Sequence, residues 1–347
     1  MRTITRPPTA RCIMLMYISF LISEPDYSSR RHLAEIMGIS HGSVDRFLQR
    51  ENFTPEDLFD QAKLRLDLKG GVVSVDDSIL DKPYSRYMAL VGHFWSGKHH
   101  RIVKGIDLIT LYYTDKFENH APINFRLYDK AEGKTKNDYF LDMLTEVLGR
   151  GVEPAFVTGD SRYSGTKNLK AIKNDDLGIM SALKSNRPVS VEEGGYVQVR
   201  TLDIPEDGLE VRSRGFGQVK IFRTLLKNER RHYVVHLPKN DASTDFKKAD
   251  FYEIHDKCWK IEQFHRAIKQ VCHVEHFQVR TETAIRNHIF AAISGFAQLR
   301  KMCVSELISN CYKLRRELFN EVVAGFIQKL VPEIKNLEPE FKPSVNA

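Results

Sequence analysis

Three separated stretches of the sequence carry carboxylates that could act together. Asp76 and Asp77 follow the apolar run Val72-Val73-Ser74-Val75, Asp160 follows Phe156-Val157-Thr158-Gly159, and Glu262 lies in Trp259-Lys260-Ile261-Glu262-Gln263-Phe264-His265-Arg266-Ala267-Ile268-Lys269. The last stretch reads as a helix with two unlike faces. At about 100° per residue, Glu262, His265, Arg266 and Lys269 share one sector, and Ile261, Phe264, Ile268 and Val271 fall roughly opposite. A solvated face with i,i+3 and i,i+4 ion pairs would show the same residues. The sharper reading takes Glu262 with the aspartates as oxygen ligands of Mg²⁺, which keeps much of its hydration and prefers carboxylates; Mn²⁺ is the alternative ion. Two such ions roughly 3.5–4 Å apart activate a water or a 3′-hydroxyl and stabilise the leaving oxygen of a phosphodiester. The cations beside Glu262 would then anchor a phosphate backbone rather than transfer protons.

The elements that must position these groups follow from periodicity. Residues 72–75 read as a strand ending in the two aspartates. Strand alternation sends Asp76 and Asp77 to opposite faces, so only one of them can be a ligand. Further strands are expected at 106–113, 122–127, 154–158 and 178–183, with helices at 137–149 and 166–173, which makes a mixed α/β sheet. Side chains at the C-terminal edge of such a sheet converge. Residues 186–240, rich in Val, Gly and Arg, read as a β-rich insertion. Helix returns near Asp250 and runs to about Val331. Residues 92–98 read as a turn without phosphate-loop spacing.

The N-terminal part is helical. Residues 27–50 form two short helices around Gly38, the layout in which a second helix enters a major groove, and they expose Arg46 and Arg50. A helix opens at Thr54-Pro55, and Gly70-Gly71 marks the boundary with the sheet. The expected domains are 1–69 (helical, DNA-binding), 70–302 (catalytic core with the insertion) and 303–347 (helical segment and tail).

The chain of 347 residues is 42% hydrophobic, enough for one large core or several smaller ones, and its formal net charge of +7 favours a polyanionic partner. Five cysteines without a C-x-x-C pair suit a reducing cytosol. The apolar run 12–22 is too short to span a bilayer and lacks a small-residue cleavage site, so it reads as a buried helix, and no membrane association is expected. A zinc cluster of Cys258, His265, Cys272, His273 and His276 fits no common ligand spacing, and Cys258 with His255 lacks the orienting group of a thiol nucleophile.

The order of these elements resembles the RNase H-like core of bacterial insertion-sequence DDE transposases. The stretch around Glu262 resembles the Tyr-Arg-Glu-Lys signature, which runs Tyr, two residues, Arg, three residues, Glu, six residues, Lys. Glu262 and Lys269 match it, while His255 and Cys258 stand at the Tyr and Arg positions. The resemblance implies Asp77 (which precedes Ser78), Asp160 and Glu262 as catalytic metal ligands, with Asp76 as the alternative to Asp77. It implies DNA contacts by His255, Lys260, His265, Arg266 and Lys269, with Lys257 or Lys260 compensating for the missing arginine. It further implies two Mg²⁺ ions, a homodimer on double-stranded DNA, terminal inverted repeats and target DNA as partners, and a bacterial cytoplasmic, nucleoid-associated location. The expected activity is cleavage and strand transfer. An RNase H-like endonuclease without strand transfer and a decayed DNA-binding regulator are the alternatives.

Overall fold

In a computed structural model, residues 10–24, 29–191, 194–226, 229–238 and 246–337 are described. Four helices come first: α1 (Met14–Ser23), α2 (Arg30–Met37), α3 (His41–Arg50) and α4 (Pro55–Ala62). Gly38, at φ 58°, ends α2 in the left-handed conformation that glycine tolerates and turns the chain into α3. A capping box of Thr54 with Asp57 starts α4. These helices are not a detached module. Tyr17, Leu21, Leu33, Val44, Phe47 and Leu48 share one core with the two long helices near the C-terminus.

The sheet begins with β1 (Val72–Asp81), β2 (Gly92–Ser96), β3 (Arg101–Thr114) and β4 (His120–Leu127). After α5 (Lys136–Gly149) come β5 (Phe156–Gly159), α6 (Thr166–Asn174) and β6 (Gly178–Leu183). Then follow β7 (Pro188–Ser190), β8 (Val197–Gln198), β9 (Leu209–Ser213), β10 (Gly217–Leu226) and β11 (Glu229–His236). Three helices close the chain: α7 (Lys248–Gln270), α8 (Glu282–Val304) and α9 (Leu314–Leu337). The architecture is an RNase H-like α/β core with a β-rich insertion, preceded by helices. The strand order is β2-β3-β1-β5-β6-β11-β10-β9-β7-β8, with β4 pairing β3, in one open sheet.

Two expectations change. The aspartates do not end β1; the long strand β3 pairs with it antiparallel from Val72 to Asp81, so Asp76 and Asp77 lie within the strand. On the other side β5 pairs only as far as Val75 with Gly159, so Asp76 is the first residue of β1 beyond that parallel partner. The segment expected as a turn supplies β2, because Phe94 packs into the sheet and only the residues after Ser96 turn. The insertion continues the core sheet: β11 pairs β6, and β10 and β9 add outward.

The two faces of β1 meet different cores. Val73 and Val75 pack with Phe140, Leu144 and Leu169, on the side of α5 and α6. Val72 packs with Phe251 and Ile254, and Leu80 with Ile261 and Phe264, on the side of α7. Even-numbered residues of β1 therefore face α7 and odd-numbered residues face α5.

Candidate active site

Alternation decides where each aspartate goes. Asp76 faces α7, and its Oδ2 lies 3.2 Å from His265 Nδ1. His265 is 5% exposed, and its Nε2 lies 3.4 Å from Thr110 Oγ1, the residue opposite Asp76 on β3. A carboxylate only accepts, so the contact with Asp76 sets the proton on Nδ1.

Asp77 points the other way. Its Oδ2 accepts from Lys136 Nζ at 2.7 Å and its Oδ1 from the Tyr163 hydroxyl at 3.1 Å, with Arg162 Nη1 at 3.7 Å. Lys136 also pairs with Asp107, which is fully buried and pushed up to about 6 by burial and by the charge of Asp77. Asp77 is thus enclosed in an ionic cluster beneath α5.

Asp160 emerges at the end of β5. Gly159 is needed there because a Cβ would meet Val75 Cγ1 at 2.8 Å. The Asp160 carboxyl accepts from the Arg162 amide at 2.9 Å, which fixes its direction. Val75 and Gly159 are register partners, so Asp76 and Asp160 are the next pair in line on the α7 face. Ser74 and Thr158, one alternation earlier, join their hydroxyls at 2.8 Å on that face.

Glu262 projects from α7 toward the same edge. It is exposed, yet its carboxyl pKa is raised by partial loss of hydration and then by the charge of Asp76, against His265, Arg266 and Arg231. Asp160 is also exposed, yet its carboxyl is pushed up to about 6 by partial loss of hydration and then by Asp76, with Asp77 a smaller contributor. Asp76 is the acid whose charge acts on both.

Among the described residues, no three His, Cys, Asp or Glu side chains converge into a ready-made metal cage. The donor chemistry nonetheless fits a hard divalent cation. All three candidates offer oxygen, and Mg²⁺ retains several waters and does not need a closed protein cage.

The cations expected on DNA divide. Arg266 and Arg46 are exposed. Lys260 lies 3.6 Å from Glu118, and Arg50 pairs with Glu51 at 2.8 Å. His255 stacks on Phe251 and lies within reach of the Tyr233 hydroxyl at 3.4 Å. Two expectations need correction. His265 is buried against Asp76 and Thr110 rather than offered to DNA. Lys269 donates to the Ile79 carbonyl at 2.6 Å and pairs with Glu275 at 3.0 Å, so it ties α7 to β1. Both follow from the rotation of α7, which turns this side of its polar stripe onto the sheet edge. Lys257 is likewise buried and pairs with Glu253 at 2.7 Å.

Sequence reasoning missed Thr110, Asp107, Lys136, Arg162 and Tyr163. The one local signal was Asp107, a lone acid in the apolar run 106–113.

No helix among the described residues is long and apolar enough to cross a membrane. A family profile described as the transposase DDE domain matches residues 69–294, more than half of the chain. No curated protein sequence matches. Among solved structures, the simian T-cell lymphotropic virus intasome in complex with PP2A regulatory subunit B56 gamma aligns at 10% identity and TM-score 0.20, over 44% of this chain and 48% of that one. The Drosophila P element transposase strand transfer complex aligns at 9% identity and TM-score 0.29, over 91% of this chain and 86% of that one. The NurA nuclease from Sulfolobus solfataricus aligns at 12% identity and TM-score 0.25, over 90% and 98%. The chain spans about half the length of the intasome chain it matches.

Proposed function

Because the chain belongs to the transposase DDE domain family, we propose that it cuts the DNA ends of an insertion sequence and joins them to a target. The observation that carries this reading is the common face of Asp76, Asp160 and Glu262 at one sheet edge, with Asp76 raising the pKa of the other two. On this reading the first acid is Asp76 rather than Asp77, because Asp77 is committed to Lys136 and Tyr163 on the opposite face.

Asp76, Asp160 and Glu262 would hold Mg²⁺ or Mn²⁺. Bound there, the ions supply an activated water or 3′-hydroxyl and charge stabilisation for the leaving oxygen. The chain's own residues do the positioning. His265 and Thr110 fix the Asp76 carboxylate, and the Arg162 amide fixes that of Asp160. Arg266 and Lys260 offer positive charge along α7 to the DNA backbone, and Arg46 and Arg50 on α3 suit recognition of the end sequence. Two copies would act on the paired ends.

A strand-transfer assay tests the reading. The duplex ends flanking the coding sequence, a supercoiled target plasmid and Mg²⁺ should yield joined products as well as cut ends. Cutting without joining would assign the second reading, an endonuclease. Binding of the ends should weaken with salt, since phosphate contacts release counterions.

A further inference from the structure

Three carboxylates on one edge repel a phosphodiester, and a cation must hold its oxygens while the bond is cut. On α7 the exposed Arg266, one turn after Glu262, serves one side of the site; the turn before Glu262 carries no cation toward the sheet. Cys258, one turn earlier, is half-buried against the cluster of Val72, Phe251 and Ile254, so that position faces the sheet. Lys257 is buried and engaged with Glu253.

The sheet register points to another source. The row that begins with Thr110 and Asp76 continues through Asp160 to Ala182, because Gly159 pairs Ser181, and Ala182 pairs Tyr233 on β11. Residues in one row share a face, so Tyr233 faces α7; its ring meets Phe251 at 5.3 Å and His255 at 5.6 Å. Strand β11 runs antiparallel to β6. Arg231, two residues before Tyr233, therefore returns to the same face just beyond the C-terminal end of β6. That is the edge where Asp160 emerges. Arg231 is exposed and is the next residue along β11 on the same face as Tyr233. Its charge also acts on Glu262 and on His255.

We propose that Arg231 grips the phosphodiester presented to Asp76, Asp160 and Glu262, with Tyr233 behind it as a positioning residue. The inference rests on the DNA-cleaving reading of the site. A guanidinium offers a planar fork to two phosphate oxygens, which an ammonium does not.

The test uses the full chain, Mg²⁺ and the duplex ends flanking the coding sequence, with either a normal or a methylphosphonate linkage at the cut. Arg231→Ala should slow single-turnover cleavage about 10²–10³-fold, the loss typical of one oxyanion donor. It should leave end binding nearly unchanged. Arg231→Lys should recover part of the rate, and added guanidinium ion should partly rescue Arg231→Ala. On the methylphosphonate duplex the penalty of Arg231→Ala should shrink toward none, which a structural role would not produce. Tyr233→Phe should cost less, and its effect should vanish in the Arg231→Ala background. If Arg231→Ala cuts at the wild-type rate while Asp160→Ala and Glu262→Ala are inactive, the inference falls and the carboxylate reading stands. If the wild type cuts none of the ends, the reading beneath falls and takes the inference with it.

Discussion

His265 Nδ1 lies 3.2 Å from Asp76 Oδ2, at a position 5% exposed to solvent. That pairing orients a candidate metal ligand from behind. His265→Ala should lower Mg²⁺-dependent cleavage about 10–100-fold, the usual cost of losing an outer-shell partner. End binding measured by gel shift should stay near wild type, and a large loss of binding would restore His265 to the DNA-contacting set.

Asp77 should behave as a structural acid. Asp77→Ala removes one of the two carboxylates on Lys136 and the acceptor of the Tyr163 hydroxyl. Losing these charge-assisted hydrogen bonds should cost about 1–3 kcal/mol of stability, visible as a lower urea midpoint. An unchanged midpoint would mean that the Lys136 cluster contributes little.

Cation binding should be linked to protons. The Asp160 carboxyl is pushed up to about 6 and that of Glu262 is also raised, both in the absence of bound metal. A carboxyl must lose its proton to ligate, so binding is unhindered above the raised pKa and competes with protons below it. Calorimetric affinity for Mn²⁺ should fall about tenfold or more per pH unit below about 6, and a flat profile between pH 5 and 7 would exclude these carboxyls as the ligands.

Folding stability carries the opposite slope at Asp107. Its folded pKa, about 6, exceeds its ordinary 3.8. The folded state therefore binds the extra proton, the contribution is complete below about pH 4, and it is lost as pH rises through about 6. Asp107→Asn should flatten that part of the stability-versus-pH curve, measured by chemical denaturation from pH 4 to 7.

Asn287 should anchor the second helix of the N-terminal pair. Its amide donates to the Leu48 carbonyl at 2.8 Å and accepts from the Phe53 amide at 3.2 Å, fixing the end of α3 on α8. Asn287→Ala should cost about 1–3 kcal/mol by removing the donor to the buried Leu48 carbonyl, and end binding should weaken with it.

Much of this was legible in the sequence. The stripe of α7, the helix pair around Gly38 and the strands from 72 to 183 other than β2 follow from local apolar periodicity, and so does the opposition of Asp76 and Asp77. Which aspartate faces α7 depends on where Val73, Val75 and Leu80 pack, and that is a tertiary choice. The register that brings Tyr233 into line with Asp76 is set by pairing between strands far apart in sequence, which no local pattern encodes. The same holds for His265 and Lys269. Their helical sector was clear, but the rotation of that sector onto the sheet edge was not.

The two neighbouring aspartates offer the most direct test of the account. Mg²⁺-dependent cleavage of the flanking end duplex should be compared for Asp76→Asn and Asp77→Asn, at a temperature where both remain folded. The account predicts that Asp76→Asn binds the ends but cuts them at least about 10³-fold more slowly, while Asp77→Asn cuts at close to the wild-type rate. Cleavage retained by Asp76→Asn and abolished in folded Asp77→Asn would contradict it.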